Sequence, residues 1–438
     1  MTEDTIHIEA FDCLPFDNGS TTADVLHKFM ASQSDNIFWF SANKTNDTDS
    51  KLAEYDYRTH QWLAGRFVGE AIFQHNEQVY KITIKPRFGE SFLFKMLEEI
   101  FNIRITSSAS SHKATPEWQH YIKRIIAFIW IQKLANANLH GLPKEHIKQT
   151  HKGNTIRGRM NVRKSIIPYY QSNDLISNYY EKHIDKGVAQ IIQQAYQILK
   201  TDFQIGKINI PDSAQNALNQ VQANPNPKEY VSEDQYKNIK YKDIYRSWKP
   251  LVDLSWDIIQ RKHLNLKQNK AQNGFGFFID MAEVWEQYLK AILKKDLRKK
   301  GWKYRSEKEI AYNGYFFKRE LIPDLVFQKD DMISVWDAKY KRMLGRPIDV
   351  DRSDFFQIHT YIQNYVNKYK VKAGGLLFPL SANQVKFENY SSPYLINEYG
   401  KKLNFSIDGI ELEEKKDANN QQSKQQEFIN RIINQLDK

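Results

Sequence analysis

Hydrophobic residues change their spacing along this chain, and each change marks a boundary. In RFVGEAIFQHNEQVYKITIKP, residues 66–86, Val79, Ile82 and Ile84 stand among polar neighbours, HNEQ supplies a turn and Pro86 stops the run. That near-alternation predicts strands, as does the short apolar run in DNIFWFSANK. SFLFKMLEEIF, residues 91–101, predicts a helix, and the polar stretch 107–117 predicts a loop. From residue 117 the period becomes helical. Trp118, Ile122, Ile125, Ile126, Ile129 and Leu134 fall on one face, and Gly141 and Pro143 end the run in the expected order. Further helices are predicted near 175–200 and 240–262, with a loop over 223–235 between them.

The third region begins near residue 270. Met281, Val284, Trp285, Tyr288, Leu289 and Ile292 recur at helical spacing, and Gly301 closes the segment. Lysines and arginines crowd its C-terminal end, where the helix dipole favours them. Strands are predicted in 302–312, LIPDLVFQ, ISVWDAKY, AGGLLFPL and LNFSIDGIEL, and a helix over 353–369 with Ser353 or Asp354 as its N-cap. Residues 413–427 are polar and of low complexity, predicting a flexible stretch before a short amphipathic helix, FINRIINQL. The expected fold is α+β and multidomain. It comprises a β-rich N-terminal domain (1–115), a helical middle region (116–265), a small α/β domain (266–412) and a flexible polar tail with a short helix (413–438).

Candidate chemistry concentrates in LIPDLVFQKDDMISVWDAKYK, residues 321–341. Strand side chains alternate faces, so Asp337 and Lys339 share one face while Trp336 and Ala338 take the other. The polar turn QKDDM lets the two apolar runs pair as a hairpin, which can bring Asp324 beside Asp337. Two acids close together in an apolar sheet repel and resist desolvation. A divalent cation removes that conflict, and Mg²⁺ suits one or two carboxylates plus a substrate phosphate. Such a set is what phosphodiester hydrolysis needs, with Lys339 orienting water or neutralising phosphate. The simpler reading is a surface hairpin carrying an Asp337–Lys339 salt bridge. Glu286, on the preceding helix, could complete a metal site or be a solvated acid. Gln357 and Tyr361 share a helix face, four residues apart; they could support the lysine, or be rim and core. His359 points elsewhere, and a lone histidine does not make a zinc site. The other Pro-Asp pair, Pro211-Asp212, lacks an acid-x-Lys partner at suitable range.

Composition narrows the classes. The 438 residues are 41% apolar, enough for a sizeable core and about three domains. Cys13 is the only cysteine, which fits a cytoplasmic protein. The N-terminus has no apolar run of the signal-peptide kind, and IIAFIWI, residues 125–131, is too short to cross a membrane. The net charge of +11 mildly favours a polyanionic partner. No G-x-x-x-x-G-K-[ST] occurs, so any nucleotide-driven step is expected from another chain. Around Gly158, the cluster Arg157, Arg159, Arg163 and Lys164 could contact DNA phosphate or a partner, or be a solvated turn.

Asp324, Asp337-Ala-Lys339 and Gln357-x-x-x-Tyr361 resemble the core of the PD-(D/E)xK nucleases. Along most of residues 60–380 the chain resembles the McrC family, through KITIKPRFG, HGLPKEH, TIRGRMNVRKSI, VWEQYL, PDLVF…VWDAKYKR and GGLLFP. The resemblance implies a C-terminal PD-(D/E)xK nuclease-like domain and a Mg²⁺-dependent endonuclease subunit (Mn²⁺ able to substitute) of a modification-dependent restriction system that defends against phage. It implies Asp324, Asp337 and Glu286 as metal ligands, Lys339 as the catalytic lysine and Gln357 as its support. It also implies double-stranded DNA as substrate, methylated or not. The implied partner is an McrB-like AAA+ GTPase ring, docked by the N-terminal domain, whose hydrolysis the chain stimulates. A non-catalytic DNA-binding adaptor of an AAA+ motor and a stand-alone repair nuclease are the alternatives.

Overall fold

The computed structural model describes residues 6–16, 25–26, 37–39, 52–57, 59–75, 78–101, 118–202, 210–222, 231–267, 276–305, 308–343, 350–366, 368–381, 392–396, 402–412 and 418–437. The loop expected over 107–117, and residues 413–417 of the expected flexible stretch, lie outside these. The chain forms two compact units, residues 1–105 with 271–438, and residues 106–270. Within the described residues no helix is long and apolar enough to cross a membrane.

Two large sheets carry the first unit, and two two-stranded pairs, Ala53–Asp56 with Gln61–Ala64 and Glu309–Asn313 with Lys318–Leu321, add to it among the described residues. One large sheet runs in the order Ile6–Phe11, Gln78–Lys85, Phe67–His75, Gly276–Asp280, Ile37–Trp39. The hairpin Phe67–His75/Gln78–Lys85 pairs in register from Gly69 with Ile84 to His75 with Gln78, as its alternation predicts. Gly276–Asp280 arrives from the far side of the sequence and pairs antiparallel with Phe67–His75. A strand within the expected 266–412 domain thus completes the N-terminal sheet. Ile8, Phe67, Ala71, Ile82, Ile84 and Phe278 are buried together beneath it.

The second sheet has six strands, ordered Lys303–Arg305, Leu325–Lys329, Met332–Ala338, Lys370–Ser381, Lys402–Leu412, Ser392–Ile396. The expected 302–312 strand divides: Lys303–Arg305 joins this sheet, and Glu309–Asn313 pairs separately with Lys318–Leu321. Helix Met281–Lys299 buries Met281, Val284, Trp285, Tyr288, Leu289 and Ile292, and the Trp285 indole donates to the Leu377 carbonyl. Helix Arg352–Val366 buries Ile358, Tyr361, Ile362 and Tyr365. Gly374 is what lets it approach: a Cβ there would lie 2.7 Å from the Val335 carbonyl oxygen and 2.8 Å from Ile362 Cδ1. The expected flexible tail is corrected over its described part. Helix Ala418–Asp437 starts ten residues before Phe428 and packs on Lys402–Leu412. Phe428, Ile429, Ile432 and Leu436 are buried, and Arg431 makes a forked pair with the buried Asp408 at 2.8–3.1 Å. The polar residues upstream extend a helix whose anchor lies downstream.

In the second unit, helices Trp118–Ala137, Lys186–Asp202, Asp212–Gln222 and Lys249–Lys267 carry the core, including Ile125, Ile126, Ile129 and Leu134. The middle region is not wholly helical. Lys144–Gly153 and Leu175–Ile184 form a ten-residue antiparallel ribbon, joined by Arg159–Met160. Residues 175–184 were expected to begin a helix. Their β-branched and aromatic residues instead pair along the ribbon, and the helical stripe starts at Val188, whose amide is capped by Asp185 at 3.1 Å. Gly158 is required at the turn. It has φ +74°, and a Cβ would lie 2.8 Å from that of Tyr179.

Candidate active site

The hairpin Leu325–Lys329/Met332–Ala338 pairs Leu325 with Trp336, so the residues just beyond, Asp324 and Asp337, face each other at its open end. Trp336 is buried on the opposite side, as alternation requires. Asp324 Oδ2 accepts the Ala338 amide at 2.8 Å, which fixes its carboxylate against the strand end. Lys339 Nζ lies 2.7 Å from Asp337 Oδ2 and 3.5 Å from Asp354 Oδ1, and donates to Gln357 Oε1 at 2.8 Å. Gln357 Nε2 donates in turn to the Tyr361 hydroxyl at 2.9 Å. Asp337 Oδ2 is buried, with the Lys339 ammonium as its charge partner and the Asp324 carboxyl beside it.

The electrostatics match that crowding. Burial, then the neighbouring Asp337 and Glu286, push the Asp324 carboxyl well above the usual range. Burial raises Asp337 too, against the pull of Lys339. Burial also raises Glu286, against Lys290, whose ammonium lies 3.5 Å from Glu286 Oε1. Burial works against the charge on Lys339, yet Asp337 and Asp354 hold it above the ordinary lysine value. The site is therefore acid-rich and strained by like charge, with one ammonium at its centre.

That strain has a sign in stability. The carboxyls of Asp324, Asp337 and Glu286 titrate higher in the fold than in the unfolded chain, where about 4 is normal. Below that value the site costs nothing. As the pH climbs through the raised folded values, the unfolded chain sheds protons first and stability falls. Melting temperatures measured from pH 4 to pH 8 should decline more steeply for the wild type than for Asp324→Asn. Parallel curves would contradict the like-charge account.

Residues 64–379 match the family described as McrBC 5-methylcytosine restriction system component. The chain belongs to that family. The resemblance to McrC is thereby borne out. A chain in the solved half-complex of the Thermococcus gammatolerans tetradecameric assembly, McrB AAA+ hexamers with bound McrC, has a TM-score of 0.50 at 15% identity, over 98% of this chain and 100% of that one. At that identity the likeness is one of fold. A chain of the Thermococcus gammatolerans McrBC complex solved by cryo-EM has a TM-score of 0.32 at 14% identity, over 67% of this chain and 88% of that one. No curated protein matches.

In this McrBC family member, Asp324, Asp337, Lys339, Gln357 and Tyr361 come together. Glu286 is within electrostatic reach but sits beside Lys290. Among the described residues, no three acids, histidines or cysteines gather as a ready ligand set, so the fit for a cation rests on the pair Asp324 and Asp337. His359 lies against the Phe355 ring, 6.1 Å between centroids. Arg157, Arg159, Arg163 and Lys164 belong to the other unit: Arg157 is in the turn after the ribbon strand Lys144–Gly153, Arg159 in the short strand that joins the ribbon, and Arg163 and Lys164 in the first turn of the helix Val162–Ser172. The N-cap expected at Ser353 or Asp354 is corrected: the helix starts at Arg352, so both lie within its first turn, and Asp354 is a site neighbour that sequence reading did not foresee. It is buried and lies 2.7 Å from Lys341 as well as 3.5 Å from Lys339. The signal was present: Asp354 is three residues before Gln357, on the same helix face.

Behind the strand end lies a second missed cluster. The buried Arg87 donates to the Lys341 carbonyl at 3.1 Å, and its guanidinium lies 4.6 Å from the Tyr340 ring centroid. Its own amide donates to Asp12 Oδ1 at 2.5 Å. Burial raises the Asp12 carboxyl, and Arg87 opposes that rise. Arg87 follows the strand Gln78–Lys85, so one side chain joins the N-terminal sheet to the residues right after Lys339.

Proposed function

We propose that this chain is the nuclease subunit of an McrBC-type restriction system. Its C-terminal sheet and helices would be a PD-(D/E)xK nuclease domain, hydrolysing phosphodiester bonds in double-stranded DNA. The observation that carries this reading is the meeting of Asp324, Asp337 and Lys339 at the open end of one hairpin, in a chain of this family. Asp324 and Asp337 would hold Mg²⁺, or Mn²⁺ in its place; two buried carboxyls at one strand end, both held above their usual range by burial, fit that role. A cation bound there would supply Lewis acidity toward the phosphate. Lys339 supplies fixed positive charge for the phosphate, and Asp354 and Gln357 keep it from swinging away. Tyr361 orients Gln357. Glu286, paired with Lys290, is the outer acid of the set.

The proposed partner is an McrB-like AAA+ GTPase ring whose hydrolysis this chain stimulates. In the solved structure of similar fold, McrC is bound to McrB AAA+ hexamers. The ribbon unit offers a suitable surface. Ile156, Val162, Ile166, Ile167 and Tyr170 are exposed among Arg157, Arg159, Arg163 and Lys164. Phosphate contact needs charge alone, whereas apolar area with arginine suits a protein interface. We therefore assign these basic residues to the partner rather than to DNA.

The test is reconstitution with an McrB-type GTPase on plasmid DNA carrying 5-methylcytosine. Cleavage is expected only when partner, GTP and Mg²⁺ are all present, with GTP turnover faster than for the partner alone. Cleavage by the lone chain would favour a stand-alone repair nuclease. Stimulated GTP turnover without any cleavage would favour a non-catalytic adaptor.

A further inference from the structure

The antiparallel pair Glu309–Asn313/Lys318–Leu321 leads straight into the candidate active site, and its far end is unusual. The Gly314 amide donates to the Phe317 carbonyl at 3.1 Å, closing a tight loop of residues 314–317. That loop holds Tyr315, fully exposed, and Phe316, 94% exposed. Aromatic side chains of this size normally bury 150–250 Å² each, so two of them at a hairpin tip are an unmet demand for apolar contact. The tip is braced rather than loose. The Tyr312 and Phe317 rings lie 4.5 Å apart, and the Arg319 guanidinium is 5.8 Å from the Phe317 centroid. Lys318 and Arg319 flank the tip on the returning strand, and Lys308 lies at the base of the other.

We propose that this tip is a DNA-contacting wedge, with Tyr315 and Phe316 stacking on or between base pairs of the duplex whose backbone is cut at Asp324 and Asp337. The inference rests on the nuclease reading above. Charge and continuity point to DNA. Lys318 and Lys308 pair with Glu320 at 2.8 and 3.3 Å, so the positive charge nearest the rings is Arg319, over Phe317, and Lys318–Leu321 is separated from Asp324 only by Ile322 and Pro323. Tyr315 lies nine positions before Asp324, at most about 31 Å of extended chain. At about 3.4 Å per base pair, the wedge falls within about nine base pairs of the cut phosphate. Apolar side chains inserted at a base step unstack it and bend the duplex. Flat aromatic faces stack on any base, so such a contact adds affinity without reading sequence.

The test compares wild-type full-length chain with the double substitution Tyr315→Ser and Phe316→Ser, in EDTA so that no cleavage is required. A duplex carrying 2-aminopurine at successive positions reports binding by anisotropy and unstacking by brightening. Wild type is expected to brighten 2-aminopurine at one or two adjacent steps. The double variant should bind roughly tenfold or more weakly and lose the brightening. The salt dependence of binding should stay unchanged, because no phosphate contact is removed. Equal affinity, no brightening with wild type, or no duplex binding by wild type would overturn the wedge. So would a variant that binds DNA normally but loses self-association or binding to the GTPase. Cleavage by an Asp337→Ala chain would instead sink the catalytic reading and leave this result standing.

Discussion

Asp337→Ala should eliminate cleavage by the reconstituted complex while stimulation of GTP hydrolysis continues. Asp337 is one of two carboxylates able to hold the proposed cation, and it also positions Lys339, 2.7 Å away. Its loss removes both contributions, and a single transition-state contact alone is commonly worth about 10²–10³ in rate. We expect a fall at the upper end of that range or beyond. The same substitution should not destabilise the fold. Burial already raises the Asp337 carboxyl, and its charge helps to raise those of Asp324 and Glu286. Removing it relieves repulsion near neutral pH, while Asp354 and Gln357 still hold Lys339. An inactive variant that melts no lower than wild type separates a site residue from a structural one. Wild-type nicking rates would end the catalytic assignment, and a large drop in melting temperature would mean that Asp337 is mainly structural.

The hairpin was legible because strand alternation and a polar turn are local properties. Asp337 and Lys339 had to share a face, and pairing across the turn could bring Asp324 beside Asp337. Gln357 and Tyr361 were legible for a similar reason, four residues apart on one helix. What escaped was whatever depends on long-range packing. Asp354 reads equally well as an N-cap or as a clamp for Lys339 and Lys341 until the helix is docked on the sheet. Strand Gly276–Asp280 carries nothing in its sequence to say that it pairs with Phe67–His75. The ribbon strand Leu175–Ile184 was hidden because it runs directly into the helix Lys186–Asp202, and the helical stripe beyond was read back across the join. Helix Ala418–Asp437 was masked by glutamines that are compatible with both helix and flexible chain, and only burial of Phe428, Ile429 and Ile432 decides between them. Glu286 was legible as a neighbour but not as a partner of Lys290, because that depends on side-chain placement.

Arg87 is the position where substitution should most damage the fold. Replacing it with alanine strands Asp12, which is fully buried, without its main counter-charge, and breaking a buried pair in this way typically costs about 3–5 kcal/mol. The ring contacts with Phe88 and Tyr340, at 4.8 and 4.6 Å, and the hydrogen bond to the Lys341 carbonyl go with it. For a unit of this size that predicts a melting temperature lower by on the order of 10 °C. Arg87→Lys should recover only part of the loss, since an ammonium cannot reproduce the planar fork that faces a ring and a carbonyl together. Removing both charges, Asp12→Asn with Arg87→Met, should be much milder than Arg87→Ala alone, because no buried charge is then left unpaired. Thermal melts of wild type, Asp12→Asn, Arg87→Met and the double variant give the cycle directly. Additive losses from Asp12 and Arg87 would mean that the two do not act as a pair. Because Arg87 touches Tyr340 and Lys341, one and two residues beyond Lys339, the melting loss should be accompanied by slower cleavage even at temperatures where Arg87→Lys is fully folded. The N-terminal sheet thereby becomes part of what aims the lysine, which explains physically why KITIKPRFG and VWDAKYKR, about 250 residues apart, belong to one working unit.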